Sequence, residues 1–304
     1  MKLVKVLCYL LRRKNREGNA KVKRRVWWSI LVTLTVILGG WLVISQGIRD
    51  NASKQYQKTK VPTLFIHGFG SSHRAEEHMV NAIVKAGVTQ NVIRATIAKD
   101  GKVTLSGAWP QSAYNPLVEV EFKDNRNPNY RKNSEGLKNV LEKLQKTYGI
   151  DKFNVVAHSM GNLTLAYYML DNGQNKKLPQ LQKQVNIAGH YDGIIGWDDK
   201  AHQIKLDKDG RPEKMNSTYK ELLKLQETYP KNQVSVLSIY GDLDDGSDSD
   251  GRVSNNSSRS EKYLLKGRYK SYQELEIKGK KGQHSQLHEN AQVDKALINF
   301  LWKK

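Results

Sequence analysis

Ser159 stands in Val155-Val156-Ala157-His158-Ser159-Met160-Gly161-Asn162, where an apolar run breaks at a serine and resumes at helical spacing. A serine hydroxyl is a weak nucleophile until a base takes its proton and a rigid turn holds it clear of the backbone. A strand that turns sharply into a helix does the second job. It demands small residues two before and two after the serine, because strand and helix nearly touch there. Ala157 and Gly161 meet that demand; Ala for the first Gly departs from G-x-S-x-G in type but hardly in size. The same turn sets the Met160 amide at a helix N-terminus, where a donor and the helix dipole stabilise a developing oxyanion. A second amide is expected from His67-Gly68-Phe69-Gly70, after the apolar run Val61–Ile66. Its glycines let the backbone turn N–H groups inward, and the donor assigned is Phe69.

Acyl transfer through such a serine also needs an imidazole and a carboxylate, with the carboxylate and then the histidine following it in the chain. Residues 240–253 follow a strand-like run and hold five aspartates: Asp242, Asp244, Asp245, Asp248 and Asp250. Residues 282–290 follow the last strand-like run and hold His284 and His288. His284 would take the proton of Ser159 and later give it to the leaving group, and the carboxylate would fix the imidazole tautomer. Asp192, after the preceding strand, is a fallback acid. The aspartate-rich loop fails as an EF-hand, since Gly246 and Ser257 stand where acids are required, though a looser calcium site stays open. His284 and His288 are four apart, but no HExxH pattern and no third ligand accompany them, so metal catalysis is not expected. No cofactor is required. His67, His158 and His190 read as structural neighbours of the site, and Trp109, Trp197 and Trp302 as core or lid packing.

These residues must be positioned by alternating strands and helices. Strand-like runs are Val61–Ile66, Val92–Ala98, Leu117–Phe122, Phe153–Ala157, Val185–Ala188, Val234–Tyr240 and Tyr272–Lys278. Between them, Leu137, Val140, Leu141, Leu144 and Tyr148 fall at helical spacing, with Ser134 placed as cap and Gly149 as stop. Further helices follow the serine up to Asp171-Asn172-Gly173, cover Met215–Thr228, and end the chain through Val293, Leu297 and Leu301. Residues 190–215 have no clear period and read as a lid or cap. The alternation implies an α/β fold with a mainly parallel sheet flanked by helices.

Four segments together carry a resemblance: LFIHGFGSS (64–72), NVVAHSMGN (154–162), SDSDGRV (247–253) and GQHSQLHEN (282–290). Over residues 60–304 the chain resembles bacterial α/β-hydrolases of the cell surface whose function is unknown, related to small lipases and esterases. The resemblance implies the α/β-hydrolase fold and a Ser-His-Asp triad acting on carboxylic esters. In such lipases the acid is the Asp of an (Asn/Ser)-Asp-Gly-x-Val segment, which falls on Asp250. The histidine precedes an apolar position of the last helix by nine residues, which points to His284 before Val293, with His288 second. The resemblance leaves the substrate open: the same triad serves thioesterases and amidases, and a non-catalytic envelope protein could keep the fold as a binding module.

The remaining sequence concerns location. Val26–Ile48 is a stretch of 23 residues without a charge. At about 1.5 Å per residue it would cross a bilayer core of about 30 Å. Lys21, Lys23, Arg24 and Arg25 precede it, while only Arg49 and Lys54 follow closely. The positive-inside rule then keeps the basic residues 1–25 in the cytoplasm and sends the hydrolase domain, 61–304, across on the linker 49–60. Trp27, Trp28 and Trp41 suit the membrane interfaces. The net charge is +20, of which residues 1–25, with ten Lys/Arg and one acid, hold +9. The basic residues are not interleaved with aromatics and match no nucleic-acid motif, so nucleic acid is excluded as a partner. A small-molecule or lipid ester remains. Cys8 is the single cysteine, so no intrachain disulfide can form.

Overall fold

The structure, a computed structural model, describes residues 27, 28, 30–41, 44, 47 and 55–304. The chain divides into two compact units, Met1–Lys54 and Gln55–Lys304. In the first, residues 30–41 are helical, and Leu31, Val36 and Ile37 among them are exposed. Among the described residues no helix is long and apolar enough to cross a membrane. The expected span Val26–Ile48 and the expected linker 49–60 lie partly outside the described residues, and the basic segment 1–25 lies wholly outside them.

In the second unit the elements run β1 (Thr63–Ile66), α1 (Glu77–Lys85), β2 (Val92–Ile97), β3 (Val103–Gly107), β4 (Leu117–Phe122), α2 (Tyr130–Tyr148), β5 (Lys152–His158), α3 (Met160–Asn172) and β6 (Gln180–Ile187). They continue with α4 (Ser217–Leu222), α5 (Leu225–Thr228), β7 (Ser235–Asp242), α6 (Asn255–Arg259), α7 (Glu261–Leu264), β8 (Ser271–Lys278) and α8 (Ala291–Trp302). The eight strands form one sheet in the order β3-β2-β4-β1-β5-β6-β7-β8. All neighbours are parallel except β2 and β3. The fold is that of an α/β-hydrolase.

The pattern of apolar residues explains the layout. β1 and residues 153–158 of β5 are buried on both faces, as central parallel strands must be, and their sequences are unbroken apolar runs apart from Thr63, Asn154 and His158. β8 is an edge strand and mostly half-exposed. β1 pairs with β4 on one side and β5 on the other. Their carboxyl ends therefore lead to loops that diverge, which is where open α/β sheets make a crevice. The HGFG and AHSMG segments leave from those two ends.

Several local expectations need correction. α2 begins at Tyr130, capped by the Asn129 side chain on the Lys132 amide; Ser134 lies inside the helix and donates to the Arg131 carbonyl. Its end at Gly149, with φ of 68°, is as the sequence implies. The strand β3 was not expected from periodicity. It folds back on β2 through a tight turn in which the Gly101 amide donates to the Ala98 carbonyl. Short α1, which buries Met79, Val80 and Ile83, was also missed. Residues 215–228 form two short helices rather than one. Residues 190–215 are turns with two isolated bridges, Ile195 to Asp199 and Leu206 to Pro212.

Candidate active site

Ser159 sits between β5 and α3 with φ of 51° and ψ of −120°, a conformation that a non-glycine residue holds only when its surroundings enforce it. The enforcing contacts are visible. The Ser159 amide donates to the Ile187 carbonyl at 2.9 Å, and the Asn162 side-chain amide donates to the carbonyls of Ser159 and Ile187 at 3.0 and 2.9 Å. α3 passes so close to β1 that a Cβ at Gly161 would lie 2.5 Å from the Ile66 carbonyl oxygen. The small residue demanded two after the serine is therefore a packing requirement between two elements.

The loop after β1 is fixed by His67. Its Nε2 accepts the Phe122 amide at 3.2 Å, so the proton sits on Nδ1, which donates to the Gly68 carbonyl at 2.8 Å. Burial lowers the His67 pKa and keeps the ring neutral. With the Gly68 carbonyl turned to His67, the N–H of the same trans peptide, that of Phe69, points the opposite way. Neither the Phe69 nor the Met160 amide donates to a backbone acceptor among the described residues outside regular ladders. Gly68 lies against the serine: a Cβ there would sit 3.1 Å from the Ser159 Cβ.

His284 and Asp250 complete the group. His284 Nε2 lies 2.9 Å from Ser159 Oγ, and its Nδ1 lies 2.8 Å from Asp250 Oδ2. The other carboxylate oxygen accepts the Arg252 and Val253 amides at 2.8 and 2.7 Å. The Asp250 carbonyl accepts the His284 amide at 2.9 Å, so backbone as well as side chains join the two loops. That junction is tight, and a Cβ at Gly241 on β7 would collide with the Gly282 carbonyl. Asp250 is buried, and two amides on one oxygen and the imidazole on the other fix the carboxylate's orientation.

The rival candidates stand elsewhere. Asp192 gives one oxygen to the Asn216 amide, and burial raises its pKa to about 6. Asp242 is buried, with one oxygen on the Asp244 amide and the other on the Asn255 side-chain amide, so it is not the solvated charge expected. Asp245 accepts the Ser247 amide and Asp248 faces exposed His202, as turn formers and solvated charges do. Among the described residues no group of three or more His, Cys, Asp or Glu side chains could hold a metal ion. His288 does not bond Asp250; its ring meets the His158 ring edge to face, with centroids 4.9 Å apart. His158, fully buried, donates from Nε2 to the His284 carbonyl at 3.0 Å, and desolvation holds its pKa well below the ordinary 6.5. His158 thus ties the elbow to the loop carrying His284. The sequence marked it only as a structural neighbour, because nothing in the motif reveals a partner 126 residues away.

A cleft of about 570 Å³ opens over Ser159. Ile194, Ile195 and Trp197 of the 190–215 segment line it, with Phe69, Arg252 and His288. That segment is tied to the loop that carries Asp250 through the Ile195 amide, which donates to the Arg252 carbonyl at 2.8 Å. Trp302 is buried and Trp109 stacks on Tyr148, but Trp197 is 76% exposed at the cleft rather than packed. Arg252 carried no sequence signal apart from its place in SDSDGRV.

By structure the chain is similar to the lin2722 gene product of Listeria innocua, with a TM-score of 0.72 and 24% sequence identity over 80% of this chain and 94% of that one. It is also similar to the "putative cell surface hydrolase" of Lactobacillus plantarum, with a TM-score of 0.62 and 21% identity over 79% of this chain and 88% of that one. At these identities the likeness is one of fold. No curated protein matches the chain significantly. Residues 50–304 match the family model described as alpha/beta hydrolase of unknown function (DUF915), and the chain belongs to that family.

Proposed function

We propose that the protein is a membrane-anchored, extracytoplasmic serine hydrolase that cleaves carboxylic esters. The observation that carries this reading is the hydrogen-bonded line from Ser159 Oγ through His284 to Asp250. Ser159 Oγ attacks the ester carbonyl while His284 Nε2 takes its proton. The oxyanion forms opposite the Phe69 and Met160 amides, and Asp250 stabilises the imidazolium. His284 then protonates the departing alcohol, leaving an acyl-serine. A water molecule, deprotonated by His284, attacks that acyl group and frees the acid and Ser159. Residues 190–215 act as a cap over the cleft. The uncharged stretch Val26–Ile48 serves as the single span, supported by its length, its basic leading flank and the exposed apolar side chains of its described residues.

The test is labelling of intact cells with a membrane-impermeant fluorophosphonate, using the wild type and Ser159→Ala. A labelled band in the membrane fraction, absent in Ser159→Ala, is the expected outcome. Turnover of that variant should fall on the order of 10⁶-fold by analogy with other triads. A folded but unlabelled wild type would favour a non-catalytic binding module. Labelling only after lysis would overturn the orientation, and a soluble labelled protein would overturn the anchor.

A further inference from the structure

The lining of the cleft is chemically lopsided. Arg252 is its one formally charged side chain apart from histidines, and no carboxylate lines it. The Arg252 guanidinium has no ion-pair or hydrogen-bond partner among the described residues. Its backbone is nevertheless fixed, with the amide on Asp250 Oδ1 and the carbonyl on the Ile195 amide. An unpaired cation thus stands on a rigid base two residues from Asp250. Burial lowers the pKa of His158, His190 and His288 from the ordinary imidazole value, which disfavours positive charge on these rings. A second exposed cation is close by: a Cβ at Gly70, in the loop after β1, would lie 3.6 Å from Arg126 Nε.

The apolar side of the cleft is equally distinct. Among the large hydrophobic side chains of residues 55–304, Phe69 and Trp197 are the ones left exposed, at 48% and 76%, and both line this cleft. Exposed aromatic surface beside a reactive serine is kept for contact with something apolar. A guanidinium fork without a partner suits a carboxylate or a phosphate.

We propose that the cleft selects esters that are themselves anionic, with an apolar chain against Phe69 and Trp197 and a negative group on Arg252. This deepens the serine-hydrolase reading above and rests on it. A neutral ester would leave the cation without a counter-charge; an anionic one supplies it and gains from the excess of basic over acidic residues that remains outside residues 1–25.

The test compares the mono-p-nitrophenyl ester of adipic acid with its neutral methyl diester. The enzyme is the full chain in non-ionic detergent, as wild type, Arg252→Gln and Arg252→Glu. The ratio of kcat/KM, anionic over neutral, should be about five to ten in the wild type at low salt and shrink as salt is raised. It should fall to about one in Arg252→Gln and below one in Arg252→Glu. Hexanoate and hexyl phosphate should protect Ser159 from fluorophosphonate labelling better than hexanol, and whichever protects more identifies the favoured anion. A ratio shared by all three proteins overturns the proposal. So does a wild-type ratio insensitive to salt, which remains readable if the variants fail to fold. Intact labelling without cleavage of either ester overturns the substrate class alone, whereas absent labelling overturns the hydrolase reading and this proposal with it.

Discussion

At the scale of single residues, the carboxylate is the informative case. Asp250 is not the most acidic-looking position of its loop, where five aspartates lie within nine residues. It differs from its neighbours in where its oxygens go: one to the amides of Arg252 and Val253, the other to His284 Nδ1. Asp192 is buried too, but its bonded oxygen is held by Asn216. Asp250→Asn should therefore lower kcat on the order of 10⁴-fold, by stabilising the wrong imidazole tautomer, as in another triad. Asp192→Asn should leave kcat within about threefold of wild type, because its bonded oxygen meets the Asn216 amide while His284 is held by Asp250 and Ser159. Steady-state hydrolysis of a p-nitrophenyl ester measures both, and the reverse pattern would move the acid to Asp192. The serine was legible because its requirements are local: a strand, a turn, a helix and two small residues. Asp250 was not legible from its own loop, since what distinguishes it is a contact made across the fold. The resemblance in SDSDGRV was needed to single it out. Arg252 stayed hidden for the same reason, and His158 showed as a neighbour of the site but not as the residue that bonds the His284 carbonyl.

At the scale of elements, the serine turn shows how packing and chemistry constrain each other. α3 approaches β1 at Gly161 closely enough that even a methyl group meets the Ile66 carbonyl carbon at 3.1 Å as well as its oxygen. The helix cannot yield without moving the Met160 amide, which lies one residue before. Gly161→Ala should cost about 1–3 kcal/mol by overpacking. It should lower kcat more than it raises KM, because the displaced amide matters to the oxyanion rather than to the bound ester. Thermal melting and steady-state kinetics of the same sample read both effects. A variant that melts and turns over like wild type would mean that β1 and α3 part easily. The central strands were legible because burial on both faces writes an unbroken apolar run. β3 was not, because an edge strand with residues half-exposed has no such run, although the Asp100-Gly101 turn ahead of it is a hairpin signal. The start of α2 was misread because its first turn, Tyr130-Arg131-Lys132, carries no apolar stripe and Asn129 caps it instead.

At the scale of the whole molecule, the fold carries buried carboxyls whose cost depends on pH. Glu76, just before α1, is fully buried, and neither side-chain oxygen has a hydrogen-bond partner among the described residues. Desolvation first, then the charge of Glu119, raises its pKa from 4.5 to about 8. The sign of the effect follows from comparing the two states. Below about pH 4.5 the carboxyl is protonated in both the folded and the unfolded chain, and the site carries no pH-dependent penalty. As pH rises from 4.5 towards 8, the unfolded chain loses the proton while the folded chain must keep it, so stability falls. Above about 8 the folded chain ionises as well and the loss levels off. Glutamine has the same shape and no proton to lose. Glu76→Gln should match the wild-type melting temperature near pH 4.5 and exceed it increasingly up to about pH 8, with a constant difference beyond. Other titrating groups cancel, because the two proteins share them. Melting curves of both across that range decide the matter. A difference that stays flat from pH 4.5 to 8 would mean that water reaches Glu76 in solution and that the core beneath α1 is looser than its packing implies.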